Sequence, residues 1–263
     1  MSDEANIPIL QDPRVSPPDV PESADFPHGF WARIGYLLQD TEKVAESLRR
    51  DENTWEIARI LFAITVVMAG LYGGVMGATN LLQGADVVLS DKFAAIAVTF
   101  FKVPVLFLFT LLIVIPPIYV SNAFVGSRLT LGQITAFLLA ACAVTSVVLA
   151  SCATVVMFFA LTSKSYHFIK LLHVIMFVYA GVSGLIYLNR TLTSAAWAAG
   201  RQAPGGLFFI WLLLYMFVGT QLAWVLRPFV GNPGDPFQVF RPRGGNFYES
   251  VIQSLLEFFK NFD

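Results

Sequence analysis

An all-α bundle of five transmembrane helices, with an amphipathic surface helix at each end, is the fold this sequence predicts. Three observations carry that expectation. The 35 residues between Arg128 and Lys164 contain no Asp, Glu, Lys, Arg or His, which exceeds the roughly 20 apolar residues a bilayer span requires. Four further apolar runs accompany it, separated by short polar loops. Hydrophobic residues make up 56% of the 263 and charged residues only 13%, against roughly 25% charged in a soluble domain. Such a chain must satisfy its backbone polar groups internally, and a helix does so within each segment.

The elements follow in order. Residues 1–28 are acidic and proline-rich, with Asp3, Glu4, Asp12 and Asp19 among six prolines. They carry too little apolar surface to order themselves, so a disordered tail is expected. No basic-then-apolar start marks a signal peptide. From residue 29 to 56 the texture changes. Phe30, Trp31, Ile34, Leu37 and Leu38 recur at helical spacing, and Asp40 to Arg50 continues as a charged, helix-compatible stretch. This juxtamembrane region predicts one or two short amphipathic helices, lying on the membrane surface or packed on the protein itself.

Residues 57–228 hold the five-span bundle, with spans expected at about 57–82, 100–120, 134–161, 167–188 and 205–226. Arg59 stands at the start of the first and can snorkel. Pro104 lies near the beginning of the second, and Pro116-Pro117 near its end. A double proline removes two backbone donors, so a kink or early stop is expected there. Residues 229–263 begin with a turn-rich stretch around Pro233-Gly234-Asp235-Pro236. They end in an apolar repeat, Phe247, Val251 and Leu255, with Asn246 as N-cap. An ordered surface tail with an amphipathic helix is predicted, pressed onto the bilayer or a partner.

Orientation is set by basic residues flanking the spans. Seven fall on each side, so the count ties. The long polar N-terminal segment is costly to translocate, which places the N-terminus in the cytoplasm.

Several function classes are excluded or narrowed by composition. Net charge is −1, so there is no basic field for nucleic acid. Cys142 and Cys152 share one predicted helix about 15 Å apart, beyond disulfide reach, and read as small packing residues. No nucleophile motif, phosphate-binding loop or paired intramembrane carboxylate occurs. His167 and His173 stand on different faces of one helix, so bis-histidine haem is excluded. No cofactor, metal or catalytic residue is expected.

The candidate site residues fall into three groups. Gly70, Gly74 and Gly73, Gly77 form two overlapping G-x-x-x-G patterns, a face that permits close backbone approach within the bundle or in an oligomer. Ala136, Ala140, Ala143 and Ser146 form a second small-residue stripe. Lys170, His173, Asn122 and Gln221 are the polar residues able to line a path through the membrane. Lys102 lies near a predicted span end, where its stem can snorkel. His173 reads as a hydrogen-bonded bundle histidine or, alternatively, a ligand. Trp224, Arg227, Arg241, Arg243, Phe247 and Tyr248 are candidates for contact with lipid phosphate or a partner, because guanidinium stacks on aromatics and forks onto phosphate or carboxylate.

Five short stretches carry likenesses to two groups of known proteins. Lys102-Val103-Pro104 and Phe124-Val125-Gly126-Ser127-Arg128-Leu129, with five spans after a polar start, resemble the Yip family of membrane proteins. Tyr166-His167-Phe168-Ile169-Lys170, Gly219-Thr220-Gln221-Leu222-Ala223-Trp224 and Pro236-Phe237-Gln238 are similar to a group of bacterial multi-span proteins, some carrying an actin-binding label. That likeness implies a shared bundle in a bacterial inner membrane and no particular reaction. No basic actin-binding motif stands in either tail.

The function these observations predict is a non-enzymatic membrane scaffold or accessory subunit. Its partners are membrane lipids and other membrane subunits or further copies of itself. A small-solute transporter or channel is the first alternative, and an intramembrane enzyme the second.

Overall fold

The computed structural model describes residues 27–49, 54–83, 89–124, 129–163, 165–198, 205–227, 229 and 247–260. These residues form helices α1 (Phe30–Gln39), α2 (Thr41–Arg49), α3 (Thr54–Gln83), α4 (Leu89–Phe124), α5 (Leu131–Thr162), α6 (Tyr166–Ala198), α7 (Gly205–Val225) and α8 (Phe247–Lys260). Among the described residues there is no strand. The expected N-terminal tail, apart from Pro27 and His28, lies outside them.

Four of these helices are long and apolar enough to cross a membrane: α3, α4, α5 and α6. The apolar stretch Ile210–Val225 of α7 is shorter. The bundle forms around α5, which packs on α3, α6 and α4 and on both N-terminal helices. Its small residues explain why. Ala136, Ala140, Ala143 and Ser146 are fully buried, and the absence of bulk lets neighbouring backbones close in. Across from them, a Cβ added at Gly184 of α6 would overlap the Thr145 hydroxyl and lie 3.0 Å from the Ala141 carbonyl oxygen. α7 packs on α4, and α8 on α6 and α7.

Hydroxyls inside the helices satisfy themselves locally. Thr65, Thr99, Thr110 and Thr145 each donate to the carbonyl four residues earlier, and Ser146 to the one three residues earlier. Thr191 does both. A hydroxyl buried without a partner would cost about 1–3 kcal/mol, so this back-bonding lets polar residues sit in apolar helices.

The N-terminal helices pack on the protein. Leu37, Val44 and Leu48 are completely buried in the same core cluster as Leu188 and Ala195 of α6, while Trp31 stays 74% exposed. Glu46 grips Arg49 through two contacts of 2.9 Å, and that hydrogen bond raises the arginine pKa further. The junction with α5 is a capping box. Thr130 Oγ1 accepts from the Gln133 amide at 3.2 Å, and Gln133 Oε1 accepts from the Thr130 amide at 3.0 Å. The same glutamine donates through Nε2 to the Arg49 carbonyl at 2.6 Å, so one side chain starts α5 and ties α2 to it. Gln133→Ala should cost about 0.5–2 kcal/mol, the range for a lost cap. Amide exchange should then accelerate in 41–49 ahead of the rest; unchanged protection there would contradict the tie.

Three sequence expectations are corrected. Pro116 and Pro117 do not stop their helix, which runs on to Phe124. Both prolines stand on the exposed side of the helix, between the buried Val114 and Ile118, so their rings do not occupy the packed face. Lys102 is not near a helix end: α4 begins at Leu89, and the lysine is buried at 6% exposure, its ammonium 5.9 Å from the centre of the Phe229 ring. α6 continues to Ala198 rather than ending near 188. Arg190 points outward there while Thr191 and Ala195 are buried, so the charge does not interrupt the packed face.

Candidate functional site

A buried polar pair joins α3 to α6 near the end of the bundle where α6 begins. Tyr72 Oη and His173 Nδ1 lie 2.8 Å apart, at 0% and 1% exposure. One turn further along α6, Phe177 meets the Tyr72 ring edge-to-face at 5.6 Å. Phe107 of α4 stacks on Phe177 at 6.3 Å. Three helices thus close around the pair with aromatic rings, which add specific geometry to their area burial. His173 Nε2 has no hydrogen-bond partner among the described residues. A hydrogen bond of this kind, away from solvent, fixes the rotation of one helix against the other; acid–base work would require a substrate or water path to it.

Position in the chain shows where the other polar candidates fall. Asn122 is buried near the last residue of α4, at the end of the bundle where α5 begins. Lys170 and His173 stand in the first turns of α6, at the opposite end. Gln221 is half-buried on α7. Lys170 Nζ reaches the Ser250 hydroxyl of α8 at 2.8 Å, so it serves a helix junction. Thr220, beside Gln221, meets Tyr248 of α8, so Gln221 stands at the same end as Lys170 and His173, and Asn122 stands at the other.

The glycine face is occupied by α4. A Cβ at Gly73 would overlap the Thr99 carbonyl oxygen, and one at Gly77 would lie 2.7 Å from the Ile96 Cα. At Gly70 and Gly74 the neighbour is the Phe100 ring, at 2.9 and 3.6 Å. The stripe therefore seats one helix of the same chain.

Of the C-terminal candidates, Arg227 stacks over Trp224 at 3.5 Å from the ring centre. Phe247 and Tyr248 open α8 and touch edge-to-face at 5.7 Å; the Tyr248 hydroxyl is 3.2 Å from that of Thr220. Arg241 and Arg243 lie outside the described residues.

Sequence reasoning missed three partners. Tyr72 was passed over, as were the bond from Trp211 Nε1 to the Ser121 hydroxyl at 2.7 Å and the contact of Cys142 Sγ with Tyr215 Oη at 3.4 Å. The available signal was the residue type, since a Tyr or Trp deep in an apolar run needs a polar partner for its hydroxyl or indole N–H. Among the described residues no group of three His, Cys, Asp or Glu side chains is placed to hold a metal ion. In comparisons with known proteins, no family model matches this chain, nor does any curated protein or solved structure.

Proposed function

We propose that this chain is an integral membrane protein whose α3–α7 form five spans, and that it acts as a non-enzymatic scaffold or accessory subunit. The observation that carries this reading is how its polar side chains are deployed. Tyr72 with His173, Trp211 with Ser121 and Lys170 with Ser250 each join two helices, and the residues able to line a path stand at both ends of the bundle. Transport needs polar groups converging along one route; a scaffold needs a rigid body with apolar flanks. The outward residues supply the flanks: Phe109, Leu112, Phe158, Val178 and Phe217 are all at least half exposed. In lipid such residues cost nothing, and they are also the surface a neighbouring span would meet. The setting we favour is a bacterial inner membrane, with the N-terminus cytoplasmic.

Two measurements on vesicle-embedded protein test this. Cysteine placed singly at Asn122, His173 and Gln221 should remain unreactive toward a membrane-impermeant maleimide at 173. Reaction at all three from the aqueous side would mark a continuous path and favour the transporter. A photo-crosslinker at Phe109, Leu112 or Val178 in native membranes should yield a discrete protein adduct. Adducts with lipid alone would defeat the scaffold reading.

A further inference from the structure

The C-terminal helix α8 divides into three edges of about a third of its circumference each, at 100° per residue. Phe247, Ser250, Val251 and Ser254 form the first, which is half-buried to buried against the bundle. Tyr248, Ile252, Leu255 and Leu256 form the second, between 44% and 57% exposed. Glu249, Gln253 and Glu257 form the third, also exposed. A helix packed on a soluble protein needs two faces, one for the core and one for water. The second, apolar edge requires a separate environment.

The contacts to α6 and α7 fix how the helix is rotated. Lys170 Nζ bonds the Ser250 hydroxyl at 2.8 Å, and His167 Nε2 lies 2.7 Å from Glu257 Oε2. Tyr248 holds Thr220 of α7 at 3.2 Å. Both α6 contacts come from its first five residues, so α8 lies at one end of the bundle, opposite the N-terminal helices. There the serine-bearing first edge of α8 is turned toward the protein, and its polar third edge, from Glu249 to Glu257, stays exposed. A helix running along the membrane normal would carry that polar edge into hydrocarbon.

Given the membrane reading above, on which this step rests, we infer that α8 lies in the plane of the membrane interface, with Tyr248, Ile252, Leu255 and Leu256 inserted among the acyl chains of one leaflet. The polar edge then faces headgroups and water, as in interfacial amphipathic helices. Lipid is the occupant the observations favour over a second copy. Four half-exposed side chains offer a strip well short of the roughly 800 Å² per partner that a specific protein interface buries. Tyr248 of the strip also reaches Thr220 of α7, about one turn from the exposed Met216 and Phe217.

Spin labels report the depth directly. The full chain, with Cys142 and Cys152 changed to alanine, is reconstituted in phosphatidylcholine–phosphatidylglycerol vesicles. Single cysteines at 252, 255, 256, 253 and 178 are labelled, and collisions with oxygen and a water-soluble nickel complex are compared. Positions 252, 255 and 256 should show an oxygen-to-nickel ratio several-fold above that at 253 and approaching that at 178. Nickel access at 252 and 256 equal to that at 253, with 178 still protected, would overturn the placement of α8. So would spin–spin broadening at 252 or 256 that disappears on dilution with unlabelled protein, which marks a second copy. Nickel access at 178 as well would overturn the membrane reading itself.

Discussion

Gly73→Leu or Gly77→Leu should prevent α3 and α4 from packing at all, and even alanine should be costly at these two positions. In a helix interior Gly→Ala ordinarily stabilises by about 0.8–1 kcal/mol. Here the new Cβ meets main chain, the Thr99 carbonyl oxygen in one case and the Ile96 Cα and Ala95 carbonyl oxygen in the other. Main chain cannot swing aside as a side chain can, so the helices must separate. Overpacking of this kind costs about 1–3 kcal/mol and more where the backbone has to move. Alanine should therefore turn an expected gain into a net loss of about 1–2 kcal/mol. Gly181 is the internal control, since nothing lies within 4 Å of its added Cβ; Gly181→Ala should be neutral or stabilising. Gly70 is intermediate, because its neighbour is the end of a Phe100 ring that can tilt. Reversible unfolding in mixed micelles measures all of these. Gly73→Ala as stable as Gly181→Ala would contradict the close α3–α4 crossing.

The second large effect belongs to Tyr72 and His173. Tyr72→Phe leaves the ring in place and removes only the hydroxyl, so the buried imidazole loses the contact at Nδ1 in addition to its unpartnered Nε2. The expected loss is about 1–3 kcal/mol, the cost of a buried polar group left unsatisfied. His173→Ala should lose more, about 2–5 kcal/mol, because a cavity is added to the orphaned Tyr72 hydroxyl. The informative variant is the double, Tyr72→Phe with His173→Phe. Removing both polar partners can be nearly neutral where removing one is costly, so the double should be more stable than the sum of Tyr72→Phe and His173→Phe measured singly by more than 1 kcal/mol. Strict additivity would mean that the 2.8 Å contact contributes nothing to stability.

What the sequence made legible and what it hid have separate physical causes. A helix in an apolar run announces itself because hydropathy sums along the chain, and the runs later found as α3 to α6 could be placed that way. Depth does not sum in the same manner. A lysine is scored as an end signal wherever it stands, so Lys102 was put near a boundary although α4 extends 13 residues before it. The expected fourth span ends near 188, just before Arg190, yet only one side of a helix must be apolar and this arginine occupies the other. The glycine stripe could be recognised as a contact face from spacing alone. Its occupant could not, because α4 offers no complementary pattern: what Gly73 and Gly77 meet is backbone, which every sequence shares. The Tyr72–His173 contact joins residues 101 positions apart, and nothing local marks either as the partner of the other. Asn122, Gln221, Lys170 and His173 were grouped by chemistry, and the fold sends them to different ends.

The self-bonded hydroxyls bear on how such a chain can be made. In the membrane reading proposed above, serines and threonines that donate to their own carbonyls enter lipid with those hydroxyls already satisfied. Bonds that reach between long helices include Tyr72 to His173, Ser121 to Trp211 and Cys142 to Tyr215. In each of these, the earlier residue sits on α3, α4 or α5 and the later one on α6 or α7. The first three helices can thus enter and settle while the ribosome is still working, and the last two arrive bearing the donors and acceptors that close the assembly. Synthesis order and bonding order coincide, which leaves truncated or stalled chains ending near residue 162 inserted but unlatched.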